Sequence, residues 1–189
     1  MFESEAVPVW EIDPAHTNVE FAVRHLMIST VKGRFGGVSG SVQSEDGSST
    51  PKVQVVIDVA SIDTRQNQRD AHLRSPDFFD AARYPTIKFE GRKIDGDTSG
   101  EFRLIGDLTI RDISREVVLS GKSEGRGMDP WGKERTGFSL TGKIDRREFG
   151  LVYNQALETG GVLVGDEVKL SIDVELVRTV PEQVLAGSA

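Results

Sequence analysis

The sequence predicts an all-β protein, an antiparallel barrel of about eight strands carrying one short helical insert near residues 67–82. Three observations support this. Hydrophobic residues recur with a period of two along most of the chain, Gly- and Asp-rich turn signals separate the alternating runs, and only one stretch has helical spacing.

Taken in order, NVEFAVRH places Val19, Phe21 and Val23 on one face. VKGRFGGVSGSV and KVQVVIDV continue the pattern, the latter through Val53, Val55, Ile57 and Val59. NQRDAHLRSPDFFDAARYP is the helical insert. Asn67 is its expected N-cap, Ser75-Pro76 its break, and a second helical turn is expected over Asp77 to Ala82. TIKFEGRK brings back the period of two with Ile87 and Phe89. GEFRLIGDLTIR sets Phe102, Leu104, Leu108 and Ile110 against Glu101, Arg103, Asp107, Thr109 and Arg111. REVVLSGKSEG, TGFSLTGKI (Phe138, Leu140, Ile144) and EVKLSIDVEL (Val168, Leu170, Ile172, Val174, Leu176) complete the set. Strands with one wet and one apolar face are normally antiparallel, and closing them into a barrel removes exposed edges. NQALETGG is a further turn. One domain is expected over 10–178, with a 1–9 extension and a frayed 179–189 tail.

Composition narrows the function classes. With no cysteine there are no disulfides, thiolate metal sites or Cys nucleophiles. Thirty acidic against 23 basic residues give a net charge of −7, which disfavours nonspecific nucleic-acid binding. No run approaches the ~18 apolar residues of a membrane span. MFESEAVPVW lacks the basic and apolar regions of a secretion signal, so a cytoplasmic location is expected.

A barrel of about eight strands is either filled by side chains or wide enough for one small ligand. The inward set mixes Phe21, Phe35, Phe89, Phe102 and Phe138 with in-phase glycines at 33, 37, 91, 106 and 142. Such glycines either leave space in the lumen or relieve strain at barrel corners. A strand of about 10 residues tilted near 40° spans roughly 25 Å, so an open lumen would be tall and apolar.

Five segments carry a family resemblance: IDPAHTNVEFAVRHLMISTVKGRF, SIDTRQNQRDAHLRSPDFFDAARYPTIKFE, LIGDLTIRDISREV, IDRREFGL and VGDEVKLSIDVEL. Together they resemble the YceI-like family of bacterial lipid-binding proteins. The most specific part runs through Thr64, Arg69, Asp70, His72, Leu73, Asp77, Phe78, Phe79, Tyr84, Pro85 and Phe89, with no His adjoining Thr64. The resemblance implies an extended, lipocalin-like barrel that holds a polyisoprenoid or related long-chain amphiphile, with fatty acids and isoprenoid quinones as alternatives. It also implies a possible homodimer. Many members carry a leader peptide, so its absence here favours an intracellular carrier.

On strand parity and this resemblance, the expected ligand-binding residues are Phe21, Val23, His25, Phe35, Arg65, Arg69, His72, Phe79, Phe89, Phe102, Leu104, Phe138 and Leu140. The phenylalanines and leucines would line the tail. His25, inward near a strand end, meets either a backbone carbonyl or a head group. Arg65, Arg69 and His72 form either a rim that pairs with an anionic head group or a solvated helix face. Arg146 and Arg147 invite the same two readings. His16 is expected to cap the DPAHT turn. The three histidines lie 9 and 47 residues apart, without metal-ligand spacing, so no metal or cofactor is expected. There is no nucleophile elbow, P-loop, dinucleotide fingerprint or HExxH, and the chain reads as a binding protein rather than an enzyme. A barrel filled by its own side chains, acting through its surface, is the remaining alternative.

Overall fold

The computed structural model describes residues 7–45 and 48–179. The expected frayed tail, the start of the N-terminal extension and part of the EDGSS turn lie outside the described residues. No helix among the described residues is long and apolar enough to cross a membrane.

Eleven strand segments form one sheet that closes on itself, and every pairing is antiparallel. They are β1 (Val9–Ile12), β2 (Asn18–His25), β3 (Ser29–Phe35), β4 (Val38–Gln43), β5 (Lys52–Asp58), β6 (Ile62–Asp63), β7 (Thr86–Gly96), β8 (Glu101–Ile110), β9 (Ile113–Met128), β10 (Glu134–Asp145) and β11 (Val164–Thr179). The helix α1 (Asn67–Arg74) follows β6.

The eleven segments make an eight-stave barrel because three staves are jointed. β1 and β2 lie end to end along β11, with Ile12 opposite Leu176 and Asn18 opposite Asp173. β4 pairs β1 and β3 pairs β2, so they form the second jointed stave, interrupted at Gly36 and Gly37. β5 and β6 form the third, with Ile62 opposite Phe35. β7 to β11 are continuous, and β1 on β11 closes the ring.

Two of these joints, and the strand end after β10, share a local cause. At Ile12-Asp13, Ile57-Asp58 and Ile144-Asp145 an inward isoleucine is followed by an aspartate that caps a single 3₁₀ turn. The carboxylates accept the amides of Ala15 (3.0 Å), Ala60 (3.0 Å) and Arg147 (2.9 Å). Satisfying the turn amides locally removes them from the ladder, which is how short polar side chains end regular structure.

Period-two patterning maps onto burial as expected. Phe102, Leu104, Leu108 and Ile110 are buried while Glu101 and Arg103 are exposed. The helix also begins where expected, but its N-cap is Gln66, whose side chain accepts from the Arg69 amide, rather than Asn67. The second helical turn expected over Asp77–Ala82 is absent. Residues 76–83 form hydrogen-bonded turns, with Asp80 at a left-handed φ of 51°. Pro76 lacks the amide that would continue the helix, and the Phe79 amide instead bonds back to Leu73 O at 3.0 Å.

Candidate ligand-binding cavity

A continuous cavity of about 910 Å³ runs the length of the barrel. At one end it reaches α1, the β2–β3 turn and residues 151–164. At the other it reaches Glu45, Asp97, Ser99 and Arg126. Between them the walls are apolar, built from the inward faces of every stave.

Rings shape the interior. Phe21 packs on Phe35 with centroids 5.6 Å apart, and Phe35 meets Phe79 edge-on at 5.9 Å. Phe102 and Phe138 form a second edge-on pair at 5.6 Å. Of the in-phase glycines, which the sequence allowed either to leave lumen space or to relieve strain, Gly33, Gly106 and Gly142 are seats for neighbouring side chains. A Cβ on Gly33 would fall into the ring of Phe21, its cross-strand partner. One on Gly121 would fall into the ring of Phe102, also its partner, and one on Gly106 would lie 2.6 Å from the Phe89 ring. Leu119 covers Gly142 in the same way, with its side chain 2.7 Å from where a Cβ would sit. Aromatic rings laid against bare backbone cover the glycine and line the wall instead of crossing the axis.

Of the sequence-expected residues, Phe21, Val23, Phe35, Phe79, Phe89, Phe102, Leu104, Phe138 and Leu140 all line this cavity, as do His25, Arg69 and His72 near α1. Arg65 does not. It is exposed, at a left-handed φ of 62°, with its amide bonded to the Asp63 carboxylate at 2.8 Å.

The polar groups near α1 differ in how they are held. The ring of His25 has no hydrogen-bond partner among the described residues. Arg69 donates from Nε to Thr64 Oγ1 (2.8 Å) and from Nη2 to Thr64 O (2.7 Å), while Thr64 donates to buried Asp70 at 2.5 Å. His72 Nε2 lies 2.7 Å from Asp77 Oδ2, and its ring packs edge-on against Phe78 and Tyr153.

The residue that sequence reasoning undervalued is Arg146, which is buried and lines the cavity. It donates to Gly165 O (2.8 Å), Leu151 O (2.6 Å), Tyr153 O (2.9 Å) and Val164 O (3.3 Å), and lies 3.3 Å from Asp166. Burial pushes its pKa down from the ordinary guanidinium value, although an arginine stays charged at neutral pH. Arg147, its neighbour, is exposed and pairs with Asp145. Arg24, Arg69 and Arg146 thus line the end near α1 with His25 and His72, with Asp77 beside His72 and Asp166 beside Arg146, whereas the far end carries Glu45 and Asp97 beside Arg126.

His16 lies outside the cavity. Its Nδ1 is 2.9 Å from Asp13 Oδ2, and the ligand atoms of Asp13, His16 and Glu175 lie within 4.8 Å of one another. Arg135 already bridges both carboxylates at 2.7 Å and reaches Asp129 at 2.8 Å. His16 and Arg135 hold the Asp13 carboxyl down at about 2.

A YceI-like domain model matches residues 10–176. The chain belongs to the YceI-like family. UPF0312 protein SAB2563 of Staphylococcus aureus is 38% identical over 165 residues, covering 86% of this chain and 94% of that protein. Among solved structures, a YCEI protein of Campylobacter jejuni is similar at TM-score 0.71 and 34% identity, over 83% of this chain and 90% of that one. BcnA of Burkholderia cenocepacia shares the fold at TM-score 0.74 and 22% identity, over 87% and 98%. A polyisoprenoid-binding domain of Saccharophagus degradans shares it at TM-score 0.63 and 14% identity, over 91% and 98%. Family and fold together make this chain a YceI-like barrel.

Proposed function

We propose that this YceI-like protein is a non-catalytic carrier that holds a polyisoprenoid or similar long-chain amphiphile inside the barrel. The carrying observation is the apolar cavity of about 910 Å³ along the barrel, large enough for one lipid-sized ligand and unlike a barrel filled by its own side chains. Burying a tail there yields about 0.8 kcal/mol per CH₂ before ordering costs. The uneven polarity of the two ends supports a ligand orientation. An anionic head group sits near Arg69, Arg146, His25 and His72, and the tail runs towards Phe102 and Phe138. The shared fold of the Saccharophagus degradans polyisoprenoid-binding domain supports the polyisoprenoid class over fatty acids or quinones.

The test is organic extraction of the purified protein, with mass spectrometry of what is released, beside an Ile172→Trp variant. Ile172 faces the lumen from the continuous β11, between Val19 and Leu140, so an indole there fills the tail path. The expected outcome is a stoichiometric long-chain amphiphile from the wild type and none from the folded variant. An empty wild-type extract, with no uptake of added polyprenyl or fatty-acyl ligands, overturns the carrier reading in favour of a surface-acting barrel.

A further inference from the structure

The turn between β2 and β3 breaks a local rule. The Ile28 amide donates to His25 O at 3.1 Å and closes a four-residue turn. Its two central residues, Leu26 and Met27, both have left-handed φ, 54° and 60°. This mirror-image hairpin turn suits Asn-Gly, because any larger side chain crowds the backbone there. The chain instead spends these strained positions on Leu26 and Met27 and follows them with Ile28. Met27 is 56% exposed and Ile28 78%.

Ile28 is largely free of the rest of the described residues and Met27 is only partly covered, with its Cγ against Gly161, and their position is informative. His25 and Arg24 line the cavity end immediately before the turn, and the Leu26 amide is fixed to Leu163 O at 2.9 Å, beside the lining residues Leu163 and Val164. Val152, 64% exposed, stands between Leu151 and Tyr153, which line the same end. Arg24 donates to Met27 O at 2.9 Å, so a cation is held directly against the apolar tip. Glu45 and Asp97 are at the far end, and Glu20 lies partway down β2.

We propose that the Leu26–Ile28 tip docks this protein onto an anionic lipid bilayer. Met27 and Ile28 enter the acyl region, while Arg24 beside them faces lipid phosphates. Docked this way, the cavity opens directly onto the bilayer, and an apolar ligand passes between the two without crossing water. The net charge of −7 repels the rest of the molecule from such a surface and so favours approach by the cationic end. The purpose of the docking rests on the carrier reading, but the docking itself is measured independently.

The far end supplies an internal control, because the β9–β10 hairpin also has an exposed apolar tip. Met128 is 68% exposed and Trp131 80%, but Asp129 and Glu134 lie in that hairpin and Glu45 and Asp97 at the nearby cavity end. The chain has no cysteine, so Ile28→Cys and Met128→Cys each accept a polarity-sensitive thiol fluorophore at one defined place. Full-length labelled protein is mixed with vesicles of phosphatidylcholine alone and with phosphatidylglycerol added. The expected result is a blue shift at position 28 only, dependent on phosphatidylglycerol and weakened by salt. No shift at 28, or a shift at 128 in its place, overturns the proposal.

A second variant separates docking from folding. Leu26→Asn with Met27→Gly and Ile28→Ser gives the turn the residues it prefers. It should raise the thermal midpoint by a few degrees while vesicle affinity falls about tenfold or more. Unchanged vesicle affinity in this variant overturns the proposal. Uptake of a fluorescent fatty-acyl probe delivered from ethanol bypasses the bilayer and should be equal in both proteins. Its loss in the tip variant would assign the tip to the ligand site and overturn docking. Its absence in the wild type counts against the carrier reading, leaving the shift at position 28 to decide the tip.

Discussion

Glycine and phenylalanine work as cross-strand partners inside this barrel, and the partnership sets the shape of its wall. Gly33 faces Phe21 and Gly121 faces Phe102, each ring lying where a Cβ would be. Gly121→Ala should therefore cost about 1–3 kcal/mol through overpacking, and Phe102→Leu added to it should recover part of that loss. Urea denaturation of the two single variants and the double variant measures the coupling. Independent losses would show that the ring and the glycine do not share space. A second residue-scale device is the Ile-Asp pair that ends a strand. Asp13 has its carboxyl held at about 2 by His16 and Arg135, against 3.8 ordinarily. A lowered native pKa adds stability above the unfolded value, and that stability is lost as pH falls through the native one. Wild-type stability should accordingly drop between about pH 4 and pH 2, and Asp13→Asn should flatten that part of the curve while lowering the neutral plateau. Acid denaturation followed by circular dichroism reads both. Much at this scale was legible in the sequence, since strand parity placed eight apolar lining residues. What parity could not show was the direction in which a ring leans, because that depends on whether its partner across the ladder has a side chain. Ile-Asp shows a similar ambiguity. Asp13, Asp58 and Asp145 end strands, whereas Asp173 after Ile172 sits inside β11 with the same local sequence.

At the scale of elements, α1 and the segment after β10 close one end of the barrel by different chemistry. The helix is tied down by Thr64, Asp70 and Arg69, all within seven residues of one another. Residues 151–166 are gathered instead by the single guanidinium of Arg146, which collects four carbonyls. Arg146→Met should destabilise the fold by about 2–4 kcal/mol, because it leaves buried acceptors without donors. Hydrogen exchange should speed up first over residues 151–166 rather than over β7–β9. Uniform acceleration would show that Arg146 supports the whole barrel and not this segment. The helix could be placed from sequence because its start signal is local. Arg146 and Arg147 could not be told apart, since the acceptors that distinguish them lie five to 19 residues further along the chain. Arg65 was assigned to the rim for its charge, but it stands exposed in a left-handed turn and does not line the cavity.

For the whole molecule, the alternating pattern was enough to indicate a closed antiparallel barrel of about eight strands. The eight staves are built from eleven segments, and the joints shift the phase of the alternation, since Ile12 and Val19, and Phe35 and Val38, all face the lumen. Their arrangement becomes clear only when the ring is closed. The Asp13–Thr17 joint lies beside Gly36 and Gly37, and these lie beside Val59–Ser61, with Asp58 N on Gly37 O (2.8 Å) and Gly36 N on Ser61 O (3.4 Å). Three neighbouring staves are thus interrupted at one level, and together the interruptions draw a crease across one side of an otherwise continuous cylinder. Ladder hydrogen bonds run perpendicular to the strands, and so along this crease and not across it. Folding the wall about that line breaks none of them. The tube is therefore segmented on one flank and uninterrupted along β7 to β11, as a jointed strap is fastened to a solid band.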